Sequence, residues 1–248
     1  MTEPVRGPFG RLAVGVPYYK PAYDFFRWWT WLIAGGLENG DQLLNTPDLR
    51  CEVPIPMAHN GLVVEFLKTD CPTMLMIEDD HCADQDVIHR MRYKEENWDF
   101  DIVCASYVNR RPPAVAVGFD FEEDEPNEYG EYLCRLEPIS VAETGTQQYD
   151  GAALGCVLIR RWVLEAMLGD NDPEDYFWFD WRGRNSQDVQ FYAKVKKLTG
   201  ARVGVDRDNP IVHIGKAYYT MQDFYTGRNR WKEEKEKEQQ EVGNASAL

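Results

Sequence analysis

The stretch from Thr73 to Ile77, Thr-Met-Leu-Met-Ile, runs without a charge into Glu78-Asp79-Asp80-His81. A continuous apolar run of strand length is what a central parallel strand needs when both faces of its sheet are covered; a half-solvated strand alternates instead. In open α/β sheets, ligands bind just beyond the carboxyl ends of the strands. The acidic cluster therefore stands where a ligand site is expected. Neighbouring carboxylates repel one another unless a cation or hydrogen bonds compensate. Two of them spaced i, i+2 on extended chain point to the same side, which makes Glu78 and Asp80 candidates to hold a divalent cation together with phosphate oxygens. The competing reading of the same residues is a solvated acidic loop, or caps for the helix that follows.

The flanking pattern fits an α/β fold. Leu12 to Pro17 reads as a buried first strand stopped by proline. A helix over about Ala22 to Leu37 follows, ended by glycines. Cys51 to Ile55 is a candidate second strand, and His59 to Lys68 has helical spacing. Asp84 opens a helix to about Tyr93, and Asp101 to Ser106 is another buried strand. Alternation of this kind argues for a parallel sheet with helical crossovers. Beyond Pro112 the pattern changes to short alternating stretches, Ala114 to Gly118 and Tyr132 to Glu137, separated by an acidic turn-rich piece. A helix is expected over Arg161 to Leu168, an aromatic functional loop over Pro173 to Arg184, and a helix capped by Asn185-Ser186 running to Leu198. Short strands over Ala201 to Val205 and Pro210 to Ile214 complete the pattern. No repeat or linker breaks the chain, so one domain is expected over 1–231, with a nucleotide-binding half (12–110), an acceptor-side half (111–231) and a charged tail (232–248).

Composition narrows the function classes. The chain has 248 residues and a formal charge of −15, so it repels phosphate backbones and is a poor general nucleic-acid binder. Its six cysteines are irregularly spaced with no CxxC pair, as in a reduced cytosolic protein rather than a disulfide frame or zinc site. No signal-peptide core precedes Arg11, and the apolar run near Phe25 to Leu37 is too short to span a bilayer. A soluble, cytoplasmic protein is expected.

Other constellations carry chemistry only in combination. Ser186-Gln187-Asp188 lies at a helix start after the aromatic loop, where Asp188 is either a cap residue or a catalytic carboxylate. His213 closes a strand and is either a satisfied core histidine or a ligand. The glycines of Asp150-Gly151-Ala152-Ala153-Leu154-Gly155 let a backbone approach a ligand, or simply pack. Tyr18, Tyr19, Trp178, Phe179 and Trp181 are core residues or stacking surfaces.

Order and spacing bind these elements together. The sequence resembles GT-A glycosyltransferases, especially the compact bacterial and phage-encoded members of the broad family 2-like group. Five stretches carry the resemblance: Val14-Gly15-Val16-Pro17-Tyr18, the DxD-like Met76-Ile77-Glu78-Asp79-Asp80-His81, Gly155-Cys156-Val157-Leu158-Ile159-Arg160-Arg161, Ser186-Gln187-Asp188 and Val212-His213-Ile214-Gly215. It spans about Leu12 to Trp231. It implies a Rossmann-like, mostly parallel nucleotide-binding sheet with a small antiparallel acceptor-side extension. It also implies a UDP-, GDP- or TDP-sugar donor and a Mn²⁺ or Mg²⁺ cofactor. Pro17, Tyr18, Asn60, Glu78 and Asp79 would then bind the donor, Asp80 and His213 with Glu78 the metal, and Gly155, Trp178 and Trp181 the acceptor, while Asp188 takes the acceptor proton in an inverting enzyme, or orients substrate or stabilises charge in a retaining one. The acceptor itself, a saccharide, a protein or a hydroxymethylated DNA base, is left open. Two positions depart from the pattern. Glu78 stands for the first Asp of the signature, and His59-Asn60 stands where relatives often carry Arg-Asn, which leaves Lys20, Arg160 and Lys216 as substitute cations. A nucleotidyltransferase and a non-catalytic sugar- or nucleotide-binding module are the rival readings. The loop Gly15-Val16-Pro17-Tyr18-Tyr19-Lys20 is poor in the glycines that cradle a triphosphate.

Overall fold

The computed structural model describes residues 7–17, 23–44, 54–84, 86–108, 118–137, 144–181, 185–214 and 218–219. The expected donor contact Tyr18, the substitute cations Lys20 and Lys216, Gly215, the stretch 114–117 and the charged tail lie outside the described residues.

A seven-stranded sheet forms the centre, in the order β2 (Gln42–Leu43), β1 (Leu12–Gly15), β3 (Thr73–Ile77), β10 (Cys156–Arg160), β5 (Ile102–Ala105), β11 (Val203–Asp206), β8 (Thr146–Tyr149). Strands β2, β1, β3, β5 and β11 run one way, and β10 and β8 run the other. The apolar run at Thr73 is, as expected, a strand buried at every position. Its side chains alternate between two layers. Met74 and Met76 pack with Leu62, Val63 and Phe66 of α2 (Ile55–Leu67), Leu164 of α4 (Arg161–Leu168) and Phe191 of α5 (Gln187–Leu198). Leu75 and Ile77 face the other way, onto Phe25 and Leu32 of α1 (Tyr23–Gly35) and Ile88 and Met91 of α3 (Val87–Tyr93). Two helical layers thus sandwich the sheet, which removes alternation from its central strands.

Two small antiparallel sheets complete the described residues. One joins β7 (Cys134–Glu137), β6 (Gly118–Phe121) and β9 (Gly151–Ala152). The other joins β13 (Tyr218–Tyr219), β12 (Val212–Ile214) and β4 (His81–Cys82), and it lies at the carboxyl end of β3.

One expectation needs correction. The Cys51 to Ile55 strand is absent from the described part of that stretch: Ile55 opens α2, with Pro54 at its N-cap and a proline in its first turn. First-turn N–H groups have no partner within the helix, so proline costs little there, and an apolar run with prolines reads as strand although it starts a helix. The second strand is instead the two-residue edge piece β2. The central sheet is mostly parallel, as expected, with β10 inserted antiparallel between β3 and β5. The helices at Ala22, His59, Asp84, Arg161 and Asn185 and the strands at Leu12, Asp101, Ala201 and Pro210 appear within a few residues of their expected limits. The five described cysteines are free, three of them buried.

Asp206, at the end of β11, is a buried polar hub. Its Oδ1 accepts from Lys94 Nζ at 2.9 Å, and its Oδ2 accepts from Asn97 Nδ2 at 2.8 Å and Asn209 Nδ2 at 2.7 Å. The hub ties β11 to the turn after α3 and to the segment leading into β12, so it holds the site-bearing end of the sheet. Asp206→Asn turns an amide N–H₂ toward these donors and removes the charge facing Lys94. It is expected to cost roughly 3–5 kcal/mol of unfolding free energy, read from a urea melt against wild type.

Candidate metal centre

Because β3 ends at Ile77, the chain emerges at the sheet edge with Glu78 N donating to Gly155 O at 2.9 Å. It then re-enters extended structure at His81, and β4 pairs with β12 so that His81 lies directly opposite His213. The pairing stacks the two imidazoles, with centroids 4.3 Å apart at 18°. Asp80 reaches a ring nitrogen of each. Its Oδ1 is 2.8 Å from His81 Nδ1, and its Oδ2 is 3.4 Å from His213 Nε2. One ligand atom from each of Asp80, His81 and His213 falls within 4.8 Å of the others, the spacing of a cation-binding group.

The second bonds of these rings say what the first ones are for. His213 Nδ1 lies 3.0 Å from the carbonyl oxygen of Val108. A carbonyl only accepts, so Nδ1 carries a proton, and in the neutral ring the lone pair sits on Nε2, which faces Asp80. A lone pair aimed at a carboxylate oxygen needs a proton or a cation between them. Orientation of one ring nitrogen by a backbone carbonyl is the usual support for a metal-binding histidine. The His81 ring is fully buried, and neither of its nitrogens has a hydrogen-bond partner. Its Nδ1 sits beside Asp80 Oδ1 rather than pointing at it as a donor, as two ligands of one ion do. Burial opposes ionisation of Asp80, but the two neighbouring imidazoles, His213 and His81, outweigh it and hold the carboxyl well below the usual range. The residues present fit a divalent cation with a mixed nitrogen and oxygen donor set.

His81 was not among the metal ligands expected from sequence. The signal that finds it is the register: its partner across β4 and β12 is the other histidine. Gly155 makes room for it. A Cβ at Gly155 would lie 2.4 Å from His81 Nε2 and 2.7 Å from Tyr107 Cζ, so only glycine fits there. Gly155 N also donates to Tyr107 Oη at 3.0 Å, and the Tyr107 ring meets His81 edge-on at 4.4 Å. The structure thus places Gly155 behind the metal group.

Glu78 stands one step out. Its Oε1 is 3.4 Å from Nε2 of the fully buried His59, and its Oε2 is 3.9 Å from His81 Nδ1. Burial raises its pKa, but His59 and His81 outweigh that and keep Glu78 ionised. Glu78 and His59, the two positions that depart from the expected pattern, therefore face each other. Asp79 is turned inward and buried, and Pro17 is buried just past β1 at the same sheet edge.

Asp188, in the first turn of α5, senses this charge. Burial and the negative charge of Glu78 push its carboxyl up to about 8, and its Oδ1 has no hydrogen-bond partner. At neutral pH Asp188 is mostly a neutral acid beside an ionised Glu78, a pairing that marks functional sites more often than structural ones.

Three expected site residues are committed elsewhere. Asn60 gives Nδ2 to Phe179 O at 2.8 Å and accepts Phe179 N at 3.0 Å. With both ends of its amide engaged, it clamps the aromatic loop and is not available to a donor. Trp178 is 0% exposed, with its indole N–H donated to Leu164 O at 3.0 Å, so it is a core residue and not an acceptor surface. Arg160 lies at the opposite end of the sheet, across from Thr73, bonded to Phe100 O at 3.2 Å and stacked on Phe9 at 4.4 Å. It is no substitute cation for the site. Trp181 is exposed near the start of α5, with its indole N–H on Gln187 Oε1 at 2.7 Å.

No family model matches the chain, and no curated protein does. Among solved structures, the fold is similar to that of A197 from STIV, with a TM-score of 0.53 and 15% identity over 83% of this chain and 86% of that one. At that identity the likeness is one of fold alone.

His59→Ala removes the group that offsets the Glu78 charge while leaving Asp80, His81 and His213 in place. We predict that Mn²⁺ binding, followed by calorimetry, changes less than threefold, whereas Asp80→Ala lowers it at least a hundredfold. Equal loss in both variants would show that Glu78, set by His59, is itself a ligand.

Proposed function

We propose that the protein is a metal-dependent glycosyltransferase that moves a sugar from a nucleoside diphosphate sugar to an acceptor hydroxyl. The observation that carries this reading is the Asp80–His81–His213 group at the carboxyl end of β3, with a carboxylic acid of raised pKa, Asp188, close enough to feel Glu78. A GT-A architecture is supported by a sheet whose strands mostly run one way, an antiparallel strand inserted in its middle, and a small antiparallel sheet contributed by residues 118–152.

A divalent ion held by Asp80, His81 and His213 would supply Lewis-acid stabilisation to the leaving diphosphate. Two imidazoles in the donor set favour Mn²⁺ or a later transition ion over Mg²⁺, which prefers oxygen. Val108 keeps the His213 tautomer that presents Nε2, and Gly155 and Tyr107 keep the His81 ring in place. Glu78, ionised against His59, would accept a hydrogen bond from a ribose hydroxyl. The anomeric carbon–oxygen bond of the donor breaks with its electron pair leaving on the diphosphate. The acceptor oxygen bonds to that carbon, and its proton passes to the Asp188 carboxylate. Burial of Asp188 makes it a stronger base once ionised, at the cost that only a minority is ionised at neutral pH.

Two measurements test this. Purified protein with Mn²⁺ and a panel of UDP-, GDP- and TDP-sugars should release free nucleoside diphosphate from one donor. That release should be lost with EDTA and in Asp80→Ala, and transfer should slow by about 10²–10⁴ in Asp188→Asn. Failure of every nucleotide sugar to bind by calorimetry would sink the proposal. The pH profile is the second test. A base with a pKa of about 8 is protonated below it. Wild-type kcat/KM should therefore climb as pH rises from about 6, bend near about 8 and level off about one unit above that, with the residual rate of Asp188→Asn flat over the same range.

A further inference from the structure

The small sheet that carries the metal group has little backbone pairing of its own. β4 has two residues and β12 three, and their register is Val212 opposite Cys82 and His213 opposite His81. Strands in globular proteins usually run to about five or six residues, and a short isolated pair is marginal in water. Up to Ile211 the chain is tied to the central sheet: Asn209 Nδ2 donates to Asp206 Oδ2 at 2.7 Å, and Ile211 N to Ser106 O, just past β5, at 2.9 Å. From Val212 onward it crosses to the β3–β4 turn, where Ile214 N donates to Asp80 O at 2.7 Å and His213 meets Asp80 and stacks on His81. β13 adds to the other side of β12, with Tyr219 opposite His213. The ligand group is therefore split across the pairing, with Asp80 and His81 on one side and His213 on the other.

We propose that the metal group is also a staple: β12, with β13 on it, closes onto β4 when Asp80, His81 and His213 share a divalent ion, and opens from Ile211 onward when they do not. This staple rests on the metal centre of the glycosyltransferase reading and needs no sugar transfer. An ion that takes ligands from both sides of a pairing favours the closed form over the open one, and it stabilises closure by the difference in its affinity for the two. Closing the pairing without an ion is costly. The His213 Nε2 lone pair then faces Asp80 Oδ2 at 3.4 Å, and the His81 ring is buried with neither nitrogen hydrogen-bonded. Buried polar atoms left without partners cost free energy that a shared cation recovers, so ion binding is coupled to ordering of the segment that supplies the ligand. Closure also brings His213 Nδ1 to the Val108 carbonyl at 3.0 Å, so the bond that sets the tautomer forms in the same step.

The test is amide hydrogen exchange, read by mass spectrometry, on the full-length protein stripped of metal with EDTA and then saturated with Mn²⁺, with binding followed by calorimetry on the same samples. In the metal-free protein, amides of 80–82 and 212–214 should be protected at least about tenfold less than those of β3 and β10, and saturating Mn²⁺ should raise their protection at least about tenfold. His81→Ala should abolish that gain. The coupling is reciprocal, so a change that weakens the pairing should weaken the ion. Ile214→Pro removes the N–H bonded to Asp80 O and no ligand atom, and it should lower Mn²⁺ affinity at least about tenfold. The wild-type comparison decides the matter if this variant does not fold. Metal-free protection at 212–214 already equal to that of β3, Mn²⁺ binding with no gain in protection there, or unchanged Mn²⁺ affinity in Ile214→Pro would each overturn the proposal. Absence of any Mn²⁺ binding would overturn it together with the metal centre. Mn²⁺-dependent protection in a protein that binds no nucleotide sugar would leave the staple standing and remove the glycosyltransferase reading.

Discussion

One carboxylate that meets nitrogens of two stacked imidazoles organises the carboxyl edge of this sheet. Asp80 meets His81 and His213, and its carbonyl accepts Ile214 N at 2.7 Å, so its backbone and its side chain hold the same partner strand. The β4–β12 pairing brings the histidines together, and their nitrogens in turn compensate a charge that burial would otherwise push toward neutrality. Around this group the supporting residues have little latitude. Val108 sets one tautomer, Gly155 leaves room for the other ring, and Tyr107 closes edge-on against both.

The next layer is an ordering of charge. His59 faces Glu78, Glu78 stays ionised, and its field helps keep a proton on Asp188. Two acids in one cleft with opposite protonation states is a common way for a single fold to hold both a charge and a proton at neutral pH. His59 packs its ring on Phe179 at 4.9 Å, and Asn60 clamps the backbone of that same phenylalanine. Adjacent residues of α2 therefore set both the charge of the site and the course of the loop that leads to α5.

Much of this was legible in the sequence because it follows from local pattern. The run at Thr73 has to be buried on both faces, the acids after it have to sit at a strand end, and Ser186 precedes a helix. What stayed hidden depends on long-range pairing. Nothing near His81 distinguishes it from a core histidine until β12 brings His213 across from it. Asn60 and Trp178 carry the residue types of a binding site, but their polar atoms are used by Phe179 and Leu164, partners far along the chain. The prolines at 54 and 56 misled for the opposite reason: they interrupt strands and begin helices, and an apolar run next to them fits both. The inserted strand β10 is apolar and small-residue-rich, which fixes its burial but not its direction.

That inserted strand has a consequence for how the chain is made. Val157 lies opposite both Met76 and Cys104, so β3 and β5 touch only through a segment synthesised long after either. As the polypeptide leaves the ribosome, the N-terminal strands emerge with one long edge unpaired on each side of an empty slot, and no local turn can fill it. Closure waits for a distant piece of chain, which makes for slow folding and a nascent intermediate with apolar edges open to other chains. A cell that makes this protein in quantity has reason to shield that slot until residues 156–160 arrive.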